Sequence, residues 1–212
     1  MGHAVAVVVA HRSGADISDV CAPLLGVPAV LRAVRAVLAC GSVDRVVLFV
    51  DAANEPAVQR IVGDMPVCVH TDPHEAARCA QGPGPVVLHD AARPLASPAL
   101  AVAVTEAVAA GHAVAVPVLP LSDTVKHVDV AGVVVGTPDR GGLRVLQTPQ
   151  AFRAGVLGTD VLAKVLASTE PLEQAWAVAG EPAVTVPGHP LAFAVRSAWE
   201  RELAEVLGRE HA

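Results

Sequence analysis

The sequence predicts an α/β chain built on a doubly wound, mostly parallel sheet with helices on both faces. Short Val-rich apolar runs alternate with Ala-rich stretches whose apolar residues recur at helical spacing, the β-α-β-α order that a parallel sheet requires. The first run, Ala4–Ala10, is apolar at every position, as expected of a strand buried on both faces. Glycine, proline and serine fall between the runs, where turns and caps need them.

The elements follow in order. Pro28–Cys40 places apolar residues on one helical face and Arg32 and Arg35 on the other, with Gly41 as a C-cap. Val46–Val50 reads as a second strand, Pro56–Val62 as a short helix, Val67–His70 as a third strand and Pro73–Ala80 as a helix. Gln81-Gly82-Pro83-Gly84 is a turn into a fourth strand, Pro85–His89. Ser97 caps a helix through Ala110, with Pro98 at its first position, and Ala113–Val118 is a fifth strand. Pro120–Pro149 then breaks the rhythm. Its short alternating runs (Val125–Asp129, Val133–Val135, Leu143–Gln147), divided by Ala131-Gly132 and Gly141-Gly142, predict a protruding β-arm. Such an arm buries little of its own surface, so it is expected to pack on a partner chain. Helices are expected at Ala154–Leu166 and Pro171–Ala179, and a strand at Ala183–Val186. Ser197 caps a terminal helix to Leu207, with Glu200 completing a capping box. The 212 residues read as one domain carrying an arm at about 120–149.

Composition narrows the function classes. With 53% hydrophobic residues, a sizeable core needs neither disulfides nor a structural metal. A net charge of −6 argues against a broad nucleic-acid surface, and with no tyrosine and only 2% aromatic residues the chain offers no base-stacking platform. No apolar run reaches the ~18 residues that span a bilayer. The N-terminal stretch lacks the basic region of a secretory signal, so a cytoplasmic location is expected. Cys21, Cys40, Cys68 and Cys79 form no C-x-x-C pair, and read as small hydrophobes rather than zinc ligands.

Ligands of doubly wound sheets bind outside the carboxyl ends of the strands, which singles out the loops after Ala10, His70, His89 and Val118. One of these is His89-Asp90-Ala91-Ala92-Arg93-Pro94. A carboxylate there suits a hard cation such as Mg²⁺, and the Arg93 fork suits phosphate oxygens. The plainer alternative has Asp90 capping the next turn and Arg93 pairing with it. On the arm, Ser122-Asp123-Thr124-Val125-Lys126 and Asp139-Arg140 offer a phosphate-binding surface, or else a solvated hairpin.

These motifs, with Thr137-Pro138-Asp139-Arg140 and Gln147-Thr148-Pro149-Gln150 following in order, resemble 2-C-methyl-D-erythritol 4-phosphate cytidylyltransferases of isoprenoid precursor synthesis. The likeness is strongest from about Pro85 to Phe152 and collinear elsewhere. It implies a Rossmann-like nucleotidyltransferase fold, a homodimer joined through the β-arm, and CTP-dependent transfer to a sugar-alcohol phosphate. It implies that Asp90 holds Mg²⁺. It further implies that Arg93, Thr124 and Arg140 hold the sugar-alcohol phosphate, the last two across the dimer.

The donor half departs from the family. Where the relatives carry A-A-G-x-G-x-R and a later P-K, this chain reads Ala10-His11-Arg12-Ser13-Gly14-Ala15-Asp16 and Ala22-Pro23, and it has no lysine in its first 80 residues. Arg12 and Gly14 remain as nucleotide-loop candidates, Arg12 either as a substitute cation or as a solvated side chain. Asp16 replaces the family arginine and Pro23 the lysine. The cytosine-side motif is replaced by Thr71-Asp72-Pro73-His74-Glu75-Ala76-Ala77-Arg78. Ala194 stands at a second lysine position, and His189 or Pro190 at a second metal-side aspartate. Weak or altered transfer is therefore expected. Two other readings stay open: a pseudoenzyme acting as a dimeric binding partner, including a heterodimer with an active paralogue, and a nucleotidyltransferase of different specificity.

Overall fold

The computed structural model describes residues 3–10 and 20–210. The strands are β1 (Ala4–Ala10), β2 (Pro23–Leu24), β3 (Val27–Pro28), β4 (Val43–Val50), β5 (Val67–His70), β6 (Val86–Asp90), β7 (Val114–Pro120), β8 (His127–Val128), β9 (Val134–Gly136), β10 (Arg144–Leu146), β11 (Gln150–Phe152) and β12 (Ala183–Pro187). The helices are α1 (Ala29–Leu38), α2 (Glu55–Val62), α3 (Pro73–Cys79), α4 (Pro98–Ala109), α5 (Thr159–Ala167), α6 (Ala175–Val178) and α7 (Ala198–Glu210).

Strands β5-β4-β1-β6 run parallel in that order, and β11 joins antiparallel to β6. β7 follows, with β12 parallel on its far edge. Both β11 and β12 pair with Val114–Ala115, and both β10 and β12 pair with Val118, so β10 and β11 share one edge of β7. The cis Thr148–Pro149 bond separates them.

The apolar runs work as the sequence implies. Along β1, Ala4, Ala6, Val8 and Ala10 pack into one core, while Val5, Val7 and Val9 pack into another on the opposite face. The first core takes α1, α2 and α4 through Val30, Val34, Val58, Val62, Val104 and Val108. The second takes α3 and α5 through Ala76, Ala77, Leu162 and Leu166. Each fully buried valine or leucine contributes roughly 1.5–3 kcal/mol. This is the doubly wound, mostly parallel α/β sheet.

Three local expectations need correction. The helix expected from Ala154 begins at Thr159, after a turn in which Gly155 takes φ 82°. The helix expected over Pro171–Ala179 is a 3₁₀ turn at Leu172–Gln174 followed by the four-residue α6. The hairpin β2–β3 and the strand β11 are additions. The hairpin closes through Leu25 and Gly26, both at positive φ (52° and 76°). A leucine is unusual there, but its side chain packs against the buried cluster of Leu24, Val195 and Ala204. The third run of the expected arm, β10, lies in the main sheet rather than outside it. What projects is the β8–β9 ribbon, where Val128, Val130, Val133, Val134 and Val135 are exposed.

Candidate functional site

The carboxyl end of β6 gathers most of the buried charge of the described residues. Asp90 is the last residue of that strand, paired with Val9 of β1 and 2% exposed. Its Oδ1 accepts the Ala92 N–H at 2.9 Å, an Asx-type turn that directs the chain outward. Its Oδ2 accepts from Arg196 Nη2 at 2.8 Å. Its own N–H donates to Thr148 Oγ1 at 3.0 Å.

Arg93 is not paired with Asp90. Its Nε donates to Glu173 Oε1 at 3.1 Å, Nη2 donates to the same oxygen, and Nη1 donates to the Ala192 carbonyl. Both side chains of this ion pair are buried. Burial pushes the Glu173 carboxyl up, but the charge and hydrogen bonds of Arg93 outweigh it and hold the group below the usual carboxylate range. Arg196 lies 3.7 Å from the same Glu173 oxygen, so two carboxylates and two guanidiniums form one network. Arg196 is its outermost member, with a side chain 43% exposed. Partial burial pushes its guanidinium down, and Asp90, Glu173 and Glu200 more than reverse this.

The Gln147–Gln150 segment braces this network. Gln147 Nε2 donates to the His189 and Ala192 carbonyls, and its Oε1 accepts the His189 N–H at 2.9 Å. Gln150 Nε2 donates to the Glu173 carbonyl at 2.8 Å. Thr148 Oγ1 sits 3.1 Å from His89 Nδ1. His89 is wholly buried, and burial, then the nearby Arg93 charge, pushes its pKa down to about 3.

Comparison with known proteins fits this geometry. The family model described as IspD, 2-C-methyl-D-erythritol 4-phosphate cytidylyltransferase, matches residues 4–209. The chain belongs to this family. The enzyme of that name from Nocardia farcinica is 42% identical over 195 residues, covering 87% of this chain and 83% of the relative. The one from Saccharopolyspora erythraea is 34% identical over 209 residues, covering 92% and 93%. Among solved structures, 4-diphosphocytidyl-2C-methyl-D-erythritol synthase from Anaerococcus prevotii superposes with a TM-score of 0.79 at 21% identity, covering 98% of this chain and 99% of that one. The cytidylyltransferase from Thermus thermophilus gives 0.71 at 24%, covering 99% and 100%. At those identities the structures establish the fold: the Rossmann-like sheet of the cytidylyltransferases.

Against the expected site, the structure brings Asp90 and Arg93 to one strand end and leaves Thr124 and Arg140 exposed on the arm. Arg140 Nη1 holds the Ser122 and Asp123 carbonyls at 3.0 and 2.9 Å, and Lys126 Nζ donates to Thr137 Oγ1 at 2.7 Å. The nucleotide-loop candidates Arg12 and Gly14, and the substituted Asp16, lie outside the described residues. Pro23, at the lysine position, is exposed on β2, where its carbonyl accepts from Arg201.

A resident Mg²⁺ does not fit Asp90 as it stands here. Mg²⁺ wants near-octahedral oxygen donors, through one or two carboxylates plus water or phosphate. Both Asp90 oxygens are engaged, one of them by a cation 2.8 Å away. No group of three His, Cys, Asp or Glu side chains able to hold a metal occurs among the described residues.

Sequence reasoning missed Glu173 and Arg196 as parts of this site. It also passed over Gly188, whose backbone runs against the brace. A Cβ there would stand 2.4 Å from Gln147 Oε1 and 2.9 Å from the Val118 carbonyl oxygen. Gln147 cannot swing aside without losing its bonds to the 189–192 turn. Gly188→Ala is therefore expected to cost about 1–3 kcal/mol, a typical overpacking penalty. Thermal unfolding checks it: at this chain length the melting temperature should fall by roughly 2–12 °C.

Proposed function

We propose that this chain transfers a cytidylyl group from CTP to a sugar-alcohol phosphate at the carboxyl ends of β1 and β6, more slowly than relatives with a complete donor loop. The observation that carries the reading is the Asp90–Arg196–Glu173–Arg93 network at that strand end, buried except at Arg196, in a chain of this family. The acceptor is already a phosphate anion, so its attack needs no base. An acceptor oxygen forms a bond to the α-phosphorus of CTP. The bond from that phosphorus to the bridging oxygen breaks in line, and pyrophosphate leaves with the electron pair. The protein's part is positioning and charge neutralisation.

Arg93, Thr124 and Arg140 take the sugar-alcohol phosphate in this reading, the last two from the arm of a second copy. Arg93 has five N–H groups and uses three on Glu173 and Ala192, which leaves two for phosphate. The exposed valines of the β8–β9 ribbon support the homodimer, since a soluble two-stranded ribbon gains little from displaying them. Arg12 and Gly14 are the nucleotide-loop candidates by sequence position. A divalent cation, where one is used, would arrive with CTP as the counter-ion of its phosphates. Each missing donor-side charge lowers the rate by about 10²–10³, though losses within one unit do not multiply.

The test is mass-spectrometric detection of the diphosphocytidyl product and of pyrophosphate, with CTP, Mg²⁺ and 2-C-methyl-D-erythritol 4-phosphate at high enzyme concentration. Slow turnover is expected, falling to background in Asp90→Asn. Wild-type output no higher than that of Asp90→Asn sinks the reading and leaves a dimeric binding protein in its place.

A further inference from the structure

We infer that Arg196 is the resident cation of this site: it excludes a divalent metal from Asp90 and presents its outward N–H groups to the phosphates of the nucleotide. The inference rests on the reading of this strand end as the transfer site and specifies how its charge is balanced.

The geometry gives three reasons. First, the Arg196 guanidinium sits 2.8 Å from Asp90 Oδ2, where a metal ligated by that oxygen would also have to sit. A metal there would lie beside a fixed positive charge, and with Oδ1 accepting the Ala92 N–H neither carboxylate oxygen is unengaged. Second, the formal charges of Asp90, Glu173, Arg93 and Arg196 cancel, and each carboxylate has an arginine within 3.7 Å. A divalent ion added to this set creates an excess of two positive charges in a largely buried place, whereas a carboxylate that recruits metal is left short of cations.

Third, the two arginines are not equivalent. Arg93 is enclosed, and three of its five N–H groups are spent on Glu173 and a backbone carbonyl. Arg196 touches the network through Nη2 and is 43% exposed, which leaves its head open to solvent on one side. Its backbone is fixed too. The Val195 N–H donates to the Ala92 carbonyl at 2.7 Å, and the Arg196 N–H donates to Glu200 Oε2 at 2.7 Å within the cap of α7. A planar guanidinium held on one side by a carboxylate and open on the other is suited to a phosphate oxygen. This chain carries alanine at position 194, where its relatives place a lysine, and a guanidinium reaching in from two residues further on supplies the absent charge.

The experiment separates this from the activity reading. Mn²⁺ serves as a paramagnetic probe, titrated against wild type, Arg196→Gln and Asp90→Asn/Arg196→Gln without nucleotide. Wild type should show no site on Asp90. Arg196→Gln should gain one site per chain, at least tenfold tighter than any wild-type binding, and the double variant should lose it. A wild-type Mn²⁺ site that Asp90→Asn removes overturns the inference, even if Arg196→Gln fails to fold. In a second arm, pyrophosphate binding in EDTA is followed by calorimetry. It should weaken at least tenfold in Arg196→Gln and be partly kept in Arg196→Lys; equal binding by wild type and Arg196→Gln also overturns the inference. Neither arm requires turnover, so failure to make product leaves both results meaningful.

Discussion

Glu173→Ala is expected to destabilise the protein by about 3–5 kcal/mol, the usual penalty for stranding one partner of a buried ion pair. Arg93 would keep its charge, lose both bonds to Glu173 Oε1 and stay in a place where only 7% of its surface reaches water. Arg196 would lose a second, weaker attraction at 3.7 Å, but Asp90 still holds it and its head is half in solvent, so it adds little. The cavity left by the side chain adds to the cost. Among the described residues Glu173 Oε2 is buried without a hydrogen-bond partner, so the wild-type pair is incompletely satisfied. Replacing both members by apolar residues of similar size, Arg93→Met with Glu173→Leu, should therefore recover most of the loss. It should not recover all, because Arg93 also ties down the Ala192 carbonyl. Urea unfolding at neutral pH reads both variants. A single variant within 1 kcal/mol of wild type, or a double variant no better than the single, would contradict this account of the pair.

That pair also shows which parts of the molecule were legible in the sequence. Strands buried on both faces must be apolar at every position, so β1 and the C-terminal part of β4 stood out, and the helix between them followed from its spacing. β2–β3 was hidden because its turn uses Leu25 at φ 52°, where asparagine or glycine is the usual signal. β11 was hidden for two reasons. It has three residues, and its first, Gln150, is polar yet wholly buried because its amide donates to the Glu173 carbonyl. In the site, Asp90 and Arg93 were visible because they lie together at a strand end. Their partners were not: Glu173 is 80 positions from Arg93, and Arg196 is 106 from Asp90. No local pattern encodes a pairing that only the closed sheet creates. The one hint was the Gln147–Gln150 motif, whose two amides bind the segments that deliver Glu173 and Arg196.

The second large effect is an acid limb of stability set by His89. The ring is wholly buried, and burial, then Arg93, brings its pKa from 6.5 to about 3. Its neighbours agree with a neutral ring. Thr148 Oγ1 accepts the Asp90 N–H and keeps its own O–H to donate to His89 Nδ1, which places the ring proton on Nε2, an atom with no partner. A depressed folded pKa on a base means that the unfolded chain binds the extra proton first. Between pH 6.5 and about 3 the unfolded state is charged at this position and the folded state is not, so stability falls as pH falls through that window. Over the span from pH 6.5 to 4 the loss should amount to about 3 kcal/mol, at 1.36 kcal/mol per pH unit for one proton. Glu173 acts in the same direction but lower down. Its folded pKa lies below its ordinary 4.5, so its contribution is complete above that value and is lost only as pH falls through the folded pKa. The upper part of the limb therefore belongs to the histidine. His89→Leu should flatten it while lowering stability at pH 7 by about 1–3 kcal/mol, because the Thr148 hydroxyl is left without an acceptor. Chemical denaturation at pH 7, 6, 5 and 4 measures the slope directly. If wild type and His89→Leu lose stability in parallel across that range, the ring takes up its proton in the folded state, and the buried neutral histidine beneath Asp90 is wrong.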